Sequence, residues 1–370
     1  MPAVKFQKIL IADEPYESAG VFDVNNDGIP DIVSGAYWYP GPKFDRKCKI
    51  GDIKQIGEYF DDFSTIAMDV NGNGHLDFIT GGWWGETLRW RENPKGDPTK
   101  QWPEHVIANC GCIESTRAWD IDGDGVLEIL PNTPRHSQKV YKLVTDPKGK
   151  GTGKFTEHVI YDREGGTGHG LGCGDITGNG RPDLILADGW LESPEEPLGG
   201  EPWKYHQGFD LGIASVPVLV LDVNGDGLND LIVGQAHGYG LDWWEQRMSN
   251  GKRTWIKHPI DPYCSQHHDL IWADIDGDGE CELITGKRYR AHNGHDPGGY
   301  DNVGIYYFKW TGESFVKQVV DFGPARTGTG CGIHFAVADL DGNGRLDVVA
   351  PGKDGLYLFR NLGVAEAMGG

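Results

Sequence analysis

No stretch of eighteen consecutive apolar residues occurs in the 370-residue chain, so nothing in it reads as a membrane-spanning helix. The segment from Met1 to Asp13 also lacks the long apolar core of a secretory leader. The compartment stays open: cytoplasmic, or secreted or periplasmic with the leader removed. Positive charge is scarce, with 34 Lys and Arg against 55 Asp and Glu, a formal charge of −21. Such a surface repels nucleic acid and anionic membranes, so neither is an expected partner. The seven cysteines are an odd set without the spacing of a zinc cage or a disulfide framework. Cys110 and Cys112 are too close for an ordinary bridge, and most of the set reads as small buried side chains. No serine stands in a nucleophile elbow, which argues against Ser-His-Asp hydrolysis. No glycine loop has the phosphate-binding form. Oligomeric state is not legible.

Glycine and tryptophan are plentiful, at 56 and 13 residues, which suits short strands, tight turns and aromatic packing. The glycines belong to a repeat. Asp-x-[Asp/Asn/Thr]-x-[Asp/Asn]-Gly-x-x-[Asp/Glu] begins at Asp23, Asp69, Asp120, Asp175, Asp222, Asp274 and Asp339, 46 to 65 residues apart. An apolar run enters each loop and a β-branched run leaves it, as in Phe335–Ala338 and Leu346–Val349. Two further strand-like runs follow. A period near 50 with four short strands predicts the blades of a β-propeller. Phe6…Ile9-Leu10-Ile11 resembles a fourth strand yet precedes the first loop, while the last repeat stops after its third strand near Asn361. The prediction is an all-β, single-domain, seven-bladed propeller over residues 1–370, closed by its N-terminal strand.

Oxygen side chains at loop positions 1, 3, 5 and 9 with Gly at 6 suit a hard cation. The predicted Ca2+ ligands are Asp23, Asn25, Asp27 and Asp31; Asp69, Asn71, Asn73 and Asp77; Asp120, Asp122, Asp124 and Glu128; Asp175, Thr177, Asn179 and Asp183; Asp222, Asn224, Asp226 and Asp230; Asp274, Asp276, Asp278 and Glu282; and Asp339, Asp341, Asn343 and Asp347. The EF-hand pattern fails, because position 12 is Thr285 counted from Asp274 and Val233 counted from Asp222. The loops at Asp120 and Asp274, with four carboxylates each, are expected to hold calcium best. Unfilled Asx-turns are the competing reading. Either way the role is to pin hairpins.

If all seven loops lie on one face, the other connections gather on the opposite one. Six residues before each first Asp stand Glu17, Phe63, Glu114, His169, Val216, His268 and Ile333; fifteen after it stand Trp38, Trp84, Arg135, Trp190, His237, Tyr289 and Asp354. His267, His292, His334, Asp188, Lys287 and Arg288 are close by. Tryptophan with His, Asp, Arg and Lys is a sugar-binding mixture. Histidine near neutral pH serves as a general base or as a ligand to a further divalent metal. Interblade packing is the competing explanation of the tryptophans. Four histidines, His105, His158, His206 and His258, fall on outer strands, where a cross-strand role is expected.

The loop pattern resembles the FG-GAP/VCBS repeats of integrin-like propellers. Two stretches resemble a narrower group: His169-Gly-Leu-Gly-Cys-Gly-Asp175 followed by Asp188-Gly-Trp190, and His267-His268-Asp269 followed by Thr285-Gly-Lys287-Arg288-Tyr289-Arg290-Ala-His292. They are similar to the propeller domain of the aldos-2-ulose dehydratases (1,5-anhydrofructose dehydratases), which remove water from ketosugars with a divalent metal. The resemblance implies β-elimination on a small carbohydrate. The cupin domains that follow in the fungal enzyme have no counterpart before Gly370, so the expectation stops at elimination, from water or a glycoside oxygen. On this reading His169, His268 and His334 are base, acid or metal ligands. Lys287, Arg288 and Tyr289 hold the enolate or leaving oxygen. Trp190, His237, Asp188, Arg135, Trp84, His267 and His292 line the sugar site. A non-catalytic glycan- or protein-binding propeller and a uronate polysaccharide lyase are the alternatives.

Overall fold

A computed structural model describes residues 3–364. Seven four-stranded antiparallel sheets make seven blades. Six are built from consecutive strands; blade 3, for instance, runs Ser115–Trp119, Glu128–Asn132, Gln138–Thr145 and Gly151–Tyr161. Blade 7 takes Ala336–Ala338, Asp347–Ala350 and Leu356–Val364 from the C-terminal part and Val4–Ala12 from the N-terminal part. Phe6 pairs with Asn361, Lys8 with Phe359 and Leu10 with Tyr357, so the N-terminal strand closes the ring as its pattern predicts. A small hairpin, Gln55–Ile56 with Tyr59–Phe60, is inserted between blades 1 and 2.

Burial explains the strand sequences. Second strands are covered on both faces by neighbouring blades and read as continuous apolar runs: Asp230–Gly234 is buried throughout. Outer strands have one wet face and alternate, as Lys252–Pro259 does. The cores lie between blades. Ile185 and Trp190 of blade 4 pack with Val218, Leu231 and Val233 of blade 5, each buried aliphatic contributing about 1.5–3 kcal/mol. At some first-strand positions neighbouring blades approach too closely for a side chain. A Cβ on Gly172 would lie 2.5 Å from the Val218 carbonyl oxygen.

The outer-strand histidines have a shared structural use. Trp90 stacks on His105, Trp190 on His206 and Trp243 on His258, with centroids 4.1–4.5 Å apart. Each pair is a directly opposed cross-strand pair. Each imidazole also meets a glutamate from the tryptophan's strand: Glu92, Glu192 and Glu245.

All seven acidic loops fold alike. The position-1 carboxylate accepts the N–H of the position-6 glycine at 2.7–3.0 Å. That glycine has φ between 80° and 93°, a conformation other residues rarely adopt. The position-9 carboxylates are fully buried and accept the position-2 N–H at 2.9–3.3 Å. In the five Asp cases the second oxygen accepts a backbone N–H from within or just past the blade's third strand, at Gly41, Asn93, Ser193, Gln246 or Asn361.

The two Glu cases differ, and they are the loops expected to hold calcium best. Lys142 Nζ sits among Asp122, Asp124 and Glu128, and Lys309 Nζ among Asp276, Asp278 and Glu282. An ammonium therefore stands where three loop carboxylates converge. Replacing Lys309 with Met leaves the buried Glu282 without its counter-charge, at a cost of about 3 kcal/mol. The Lys309→Met protein is expected to melt lower than the parent in EDTA and to recover more on calcium addition, because binding stabilises the folded state by mass action. Parallel melts with and without calcium check this.

Candidate metal centre

Four blades send one side chain each to a common point. Glu114 precedes the first strand of blade 3, His169 that of blade 4, and His268 lies in that of blade 6, while His237 follows the second strand of blade 5. Their ligand atoms lie within 4.8 Å of one another. Glu114 Oε1 is 3.2 Å from His169 Nε2, 3.6 Å from His237 Nε2 and 3.1 Å from His268 Nε2. Four ligands about 2.0–2.1 Å from one ion in a tetrahedron are separated by roughly 3.3–3.4 Å. The three imidazole planes stand 77–89° to one another.

Outer hydrogen bonds orient two of the rings. His169 Nδ1 donates to the Ala214 carbonyl at 2.7 Å, and His237 Nδ1 to Asp296 Oδ2 at 2.7 Å. Both therefore turn Nε2 toward the same carboxylate oxygen, and a neutral ring presents a lone pair there. Lone pairs and an anion repel unless a cation lies between them. Without a metal, protons on the imidazoles take that place. Burial would raise the Glu114 pKa, but the three histidines outweigh it and hold it well below the ordinary value. Burial pushes His268 well below the ordinary histidine value, keeping it neutral. His237 departs from this pattern: burial lowers its pKa, but Asp296 and Glu114 outweigh burial and the net direction is up. A proton thus occupies His237 more readily than its neighbours when no metal is bound.

Asp296 bonds two histidines. His292 Nδ1 lies 2.8 Å from Asp296 Oδ1, and the His292 ring stacks on His237 with centroids 4.4 Å apart. Burial works against ionised Asp296, yet His237 and His292 hold its pKa at about 2. The loop that aims His292 is strained, with Arg290, His292 and Asn293 all left-handed at φ 47–58°, at a cost of about 1–3 kcal/mol each.

A cavity of about 270 Å³ opens on the cluster, lined by Tyr59, Phe63, Trp83, Trp84, Glu114, Arg135, Arg288 and His292. Trp84 packs against Tyr59 and Phe63 with centroids 5.1 and 5.8 Å away. Arg135 lies 5.2 Å over Trp83 and makes no ion pair among the described residues. Arg288 is buried and bidentate to Glu17, at 2.9 and 3.3 Å.

The structure therefore gathers His169, His237, His268, His292, Arg288, Arg135 and Trp84, and places the remaining expected site residues elsewhere. His334 Nδ1 bonds the Ala19 carbonyl at 3.2 Å and lies outside the cluster. Lys287 bonds Ser265 and Gln266 and faces a different cavity. Tyr289 lines a third cavity with Arg290, Lys353 and Asp354. Trp190 is buried in the core between blades 4 and 5. Asp188 pairs with Arg163 at 2.7 Å. His267 points to Asp261 and Cys264 rather than to its neighbour's site. Two residues here were not expected. Glu114 occupies the same place before its loop as His169 and His268, a usable signal. Asp296 sits in an irregular loop and carries no such mark.

Residues 222–285, from the blade 5 loop into the second strand of blade 6, match the FG-GAP-like repeat family. The chain is a seven-bladed β-propeller carrying an FG-GAP-like repeat. No curated protein matches it. Two crystal structures of BBS1N in complex with ARL6DN, one soaked with lead and one with mercury, share 9% identity with it. Their TM-scores are 0.55 and 0.51; each covers 98% of this chain, and 98% and 96% of theirs is covered. That likeness is one of fold alone. No helix among the described residues is long and apolar enough to cross a membrane.

Proposed function

We infer that the protein is a metal-dependent carbohydrate lyase that eliminates a β-substituent from a ketosugar or keto-glycoside. The observation that carries this reading is the convergence of three imidazole Nε2 atoms, of His169, His237 and His268, on one Glu114 oxygen beneath an aromatic-walled cavity. Glu114, His169, His237 and His268 would hold a divalent transition ion, which when bound would supply Lewis acidity toward a substrate oxygen.

The chain's own groups supply the proton transfers. With Nδ1–H given to Asp296, His292 keeps a free Nε2 in the cavity and takes the proton α to the ketone. Tyr59, whose oxygen accepts the Asn293 N–H at 3.0 Å, keeps its own proton for the leaving oxygen. Burial raises its pKa, so it is held in the acid form. The C–H pair becomes the new C=C bond, the C–O bond breaks, and the leaving oxygen departs as water or an alcohol. Trp83 and Trp84 offer ring faces to the sugar's C–H surface. Arg135, without an acidic partner, gives specific support to a second reading in which the substrate carries a carboxylate, as a uronate does.

The test is an absorbance assay for a conjugated enone or unsaturated uronate. Metal-stripped protein is reloaded with Mn2+, Zn2+ or Co2+ and offered 2- and 3-ketosugars, keto-glycosides and uronate oligosaccharides. Product from the keto compounds supports elimination, and product from uronates alone selects the second reading. Silence across the panel, with sugar binding intact by calorimetry, would leave a binding propeller. Within the assay, Tyr59→Phe is expected to slow turnover about 10²–10⁴-fold, the range for losing an acid or base. Unchanged turnover would remove Tyr59 from the scheme.

A further inference from the structure

A second group of metal-ligating side chains is buried away from the four-blade cluster. Asp261, Cys264 and His267 stand in the spacing Asp-x-x-Cys-x-x-His on the connection into blade 6. Each brings a ligand atom within 4.8 Å of the other two. His267 and His268 are adjacent in one strand, and successive strand side chains point to opposite faces. One imidazole therefore enters each group.

Hydrogen bonding fixes the His267 tautomer. Thr285 Oγ1 donates its proton to the Asp269 carbonyl at 2.8 Å, so at 3.3 Å it accepts from His267 Nδ1. The lone pair then lies on Nε2, which is fully buried and has no hydrogen-bond partner. An orphaned buried acceptor costs about 1–3 kcal/mol, a cost that a bound cation removes. Asp261 is oriented from outside: Oδ1 accepts the N–H groups of Tyr263 and Cys264 at 3.1 and 3.2 Å, and Oδ2 takes Lys317 Nζ at 2.6 Å. Such supporting donors are what ligating carboxylates in metal sites possess. Thiolate, imidazole and carboxylate together select a borderline ion of the zinc class over calcium or magnesium.

We propose that Asp261, Cys264 and His267 bind a zinc-class ion whose open position faces the cavity of about 600 Å³ beside them and takes an anionic oxygen ligand. On binding, the Cys264 thiol releases its proton to solvent. Thiolate and carboxylate then neutralise the ion. Two ammonium groups, Lys317 and Lys287, remain on the cavity wall against one further carboxylate, Asp301. Lys287 is buried and held by Ser265 Oγ at 2.7 Å and Gln266 Oε1 at 3.1 Å, without a carboxylate at ion-pair distance among the described residues. That surplus of positive charge is the reason for an anion.

Cobalt distinguishes this site from the all-nitrogen-and-oxygen cluster. The metal-stripped full chain is titrated with Co2+ under reducing conditions. A sulfur-to-cobalt charge-transfer band in the near ultraviolet is expected. Cys264→Ser should abolish it and remove one equivalent of tightly bound metal, while Glu114→Gln should leave the band in place. His267→Asn, with its fold checked by melting, should weaken Co2+ binding at this site at least about tenfold. Inorganic phosphate should perturb the band in the parent protein. Absence of any band in the parent, or a band that survives Cys264→Ser, overturns the metal assignment. A band indifferent to phosphate overturns the anion assignment.

Discussion

Replacing His169 with alanine is expected to remove one equivalent of tightly bound transition metal and to cut the elimination rate roughly a thousandfold. The magnitude follows from a Lewis-acid contribution of several kcal/mol, at about 1.4 kcal/mol per factor of ten. His169 is one of four clustered side chains that could hold the ion, and its loss leaves Glu114 with two imidazoles. The fold should persist, because the His169 side chain spans a polar gap between blades rather than a core contact: its bonds go to the Ala214 carbonyl and toward Glu114. Metal analysis, turnover and melting temperature, measured together, check the prediction. Lost turnover with full metal content would make His169 something other than a ligand. Asp296→Asn should behave more mildly, with metal affinity falling about 10–100-fold, since Asp296 acts through His237. Metal affinity should also weaken as pH falls. Asp296, held at about 2, stays ionised, whereas the raised His237 takes a proton that competes with the ion.

Asp269→Ala is expected to destabilise the protein by about 3–5 kcal/mol, the cost of leaving a buried partner charge unpaired. For a chain of this size that lowers the melting temperature by roughly 5 °C. Arg117 and Asp269 are both buried and meet at 2.6 Å. Two further bonds reach other blades: the guanidinium donates to the Val216 carbonyl, and Asp269 Oδ2 accepts the Phe335 N–H at 3.0 Å. One ion pair therefore joins segments of blades 3, 5, 6 and 7. The double change Arg117→Met with Asp269→Leu should recover much of the loss, because burying neither charge is cheaper than burying one. Thermal melts of the single and double variants decide it, and a single variant as stable as the parent would remove the pair from the account of stability.

The ring, its seven loops and its unusual closure were legible because each repeats a pattern tied to one physical need, such as the left-handed glycine at position 6. The centre was half legible. The place six residues before the loop marks Glu114, His169 and His268, since it falls at or just before the start of the first strand of every blade. What linear spacing does not resolve is which of two neighbours points inward. Lys287 and Arg288 are adjacent, yet one lines the outer cavity and the other the central one. Trp84 and Trp190 share a position relative to their loops, but His206 stacks on Trp190 and takes it into the core. Asp296 follows a turn in which Arg290, His292 and Asn293 are left-handed without being glycine, a geometry no residue pattern announces.

The pairing of Val4–Ala12 with Leu356–Val364 has a consequence for biosynthesis. At about 5–20 residues per second, the earlier strand leaves the ribosome some tens of seconds before its partner is translated. For that interval the nascent chain carries an unmatched β-edge with Phe6, Ile9 and Ile11 on it, and chaperones that shield such edges should engage the polypeptide until its last segment emerges.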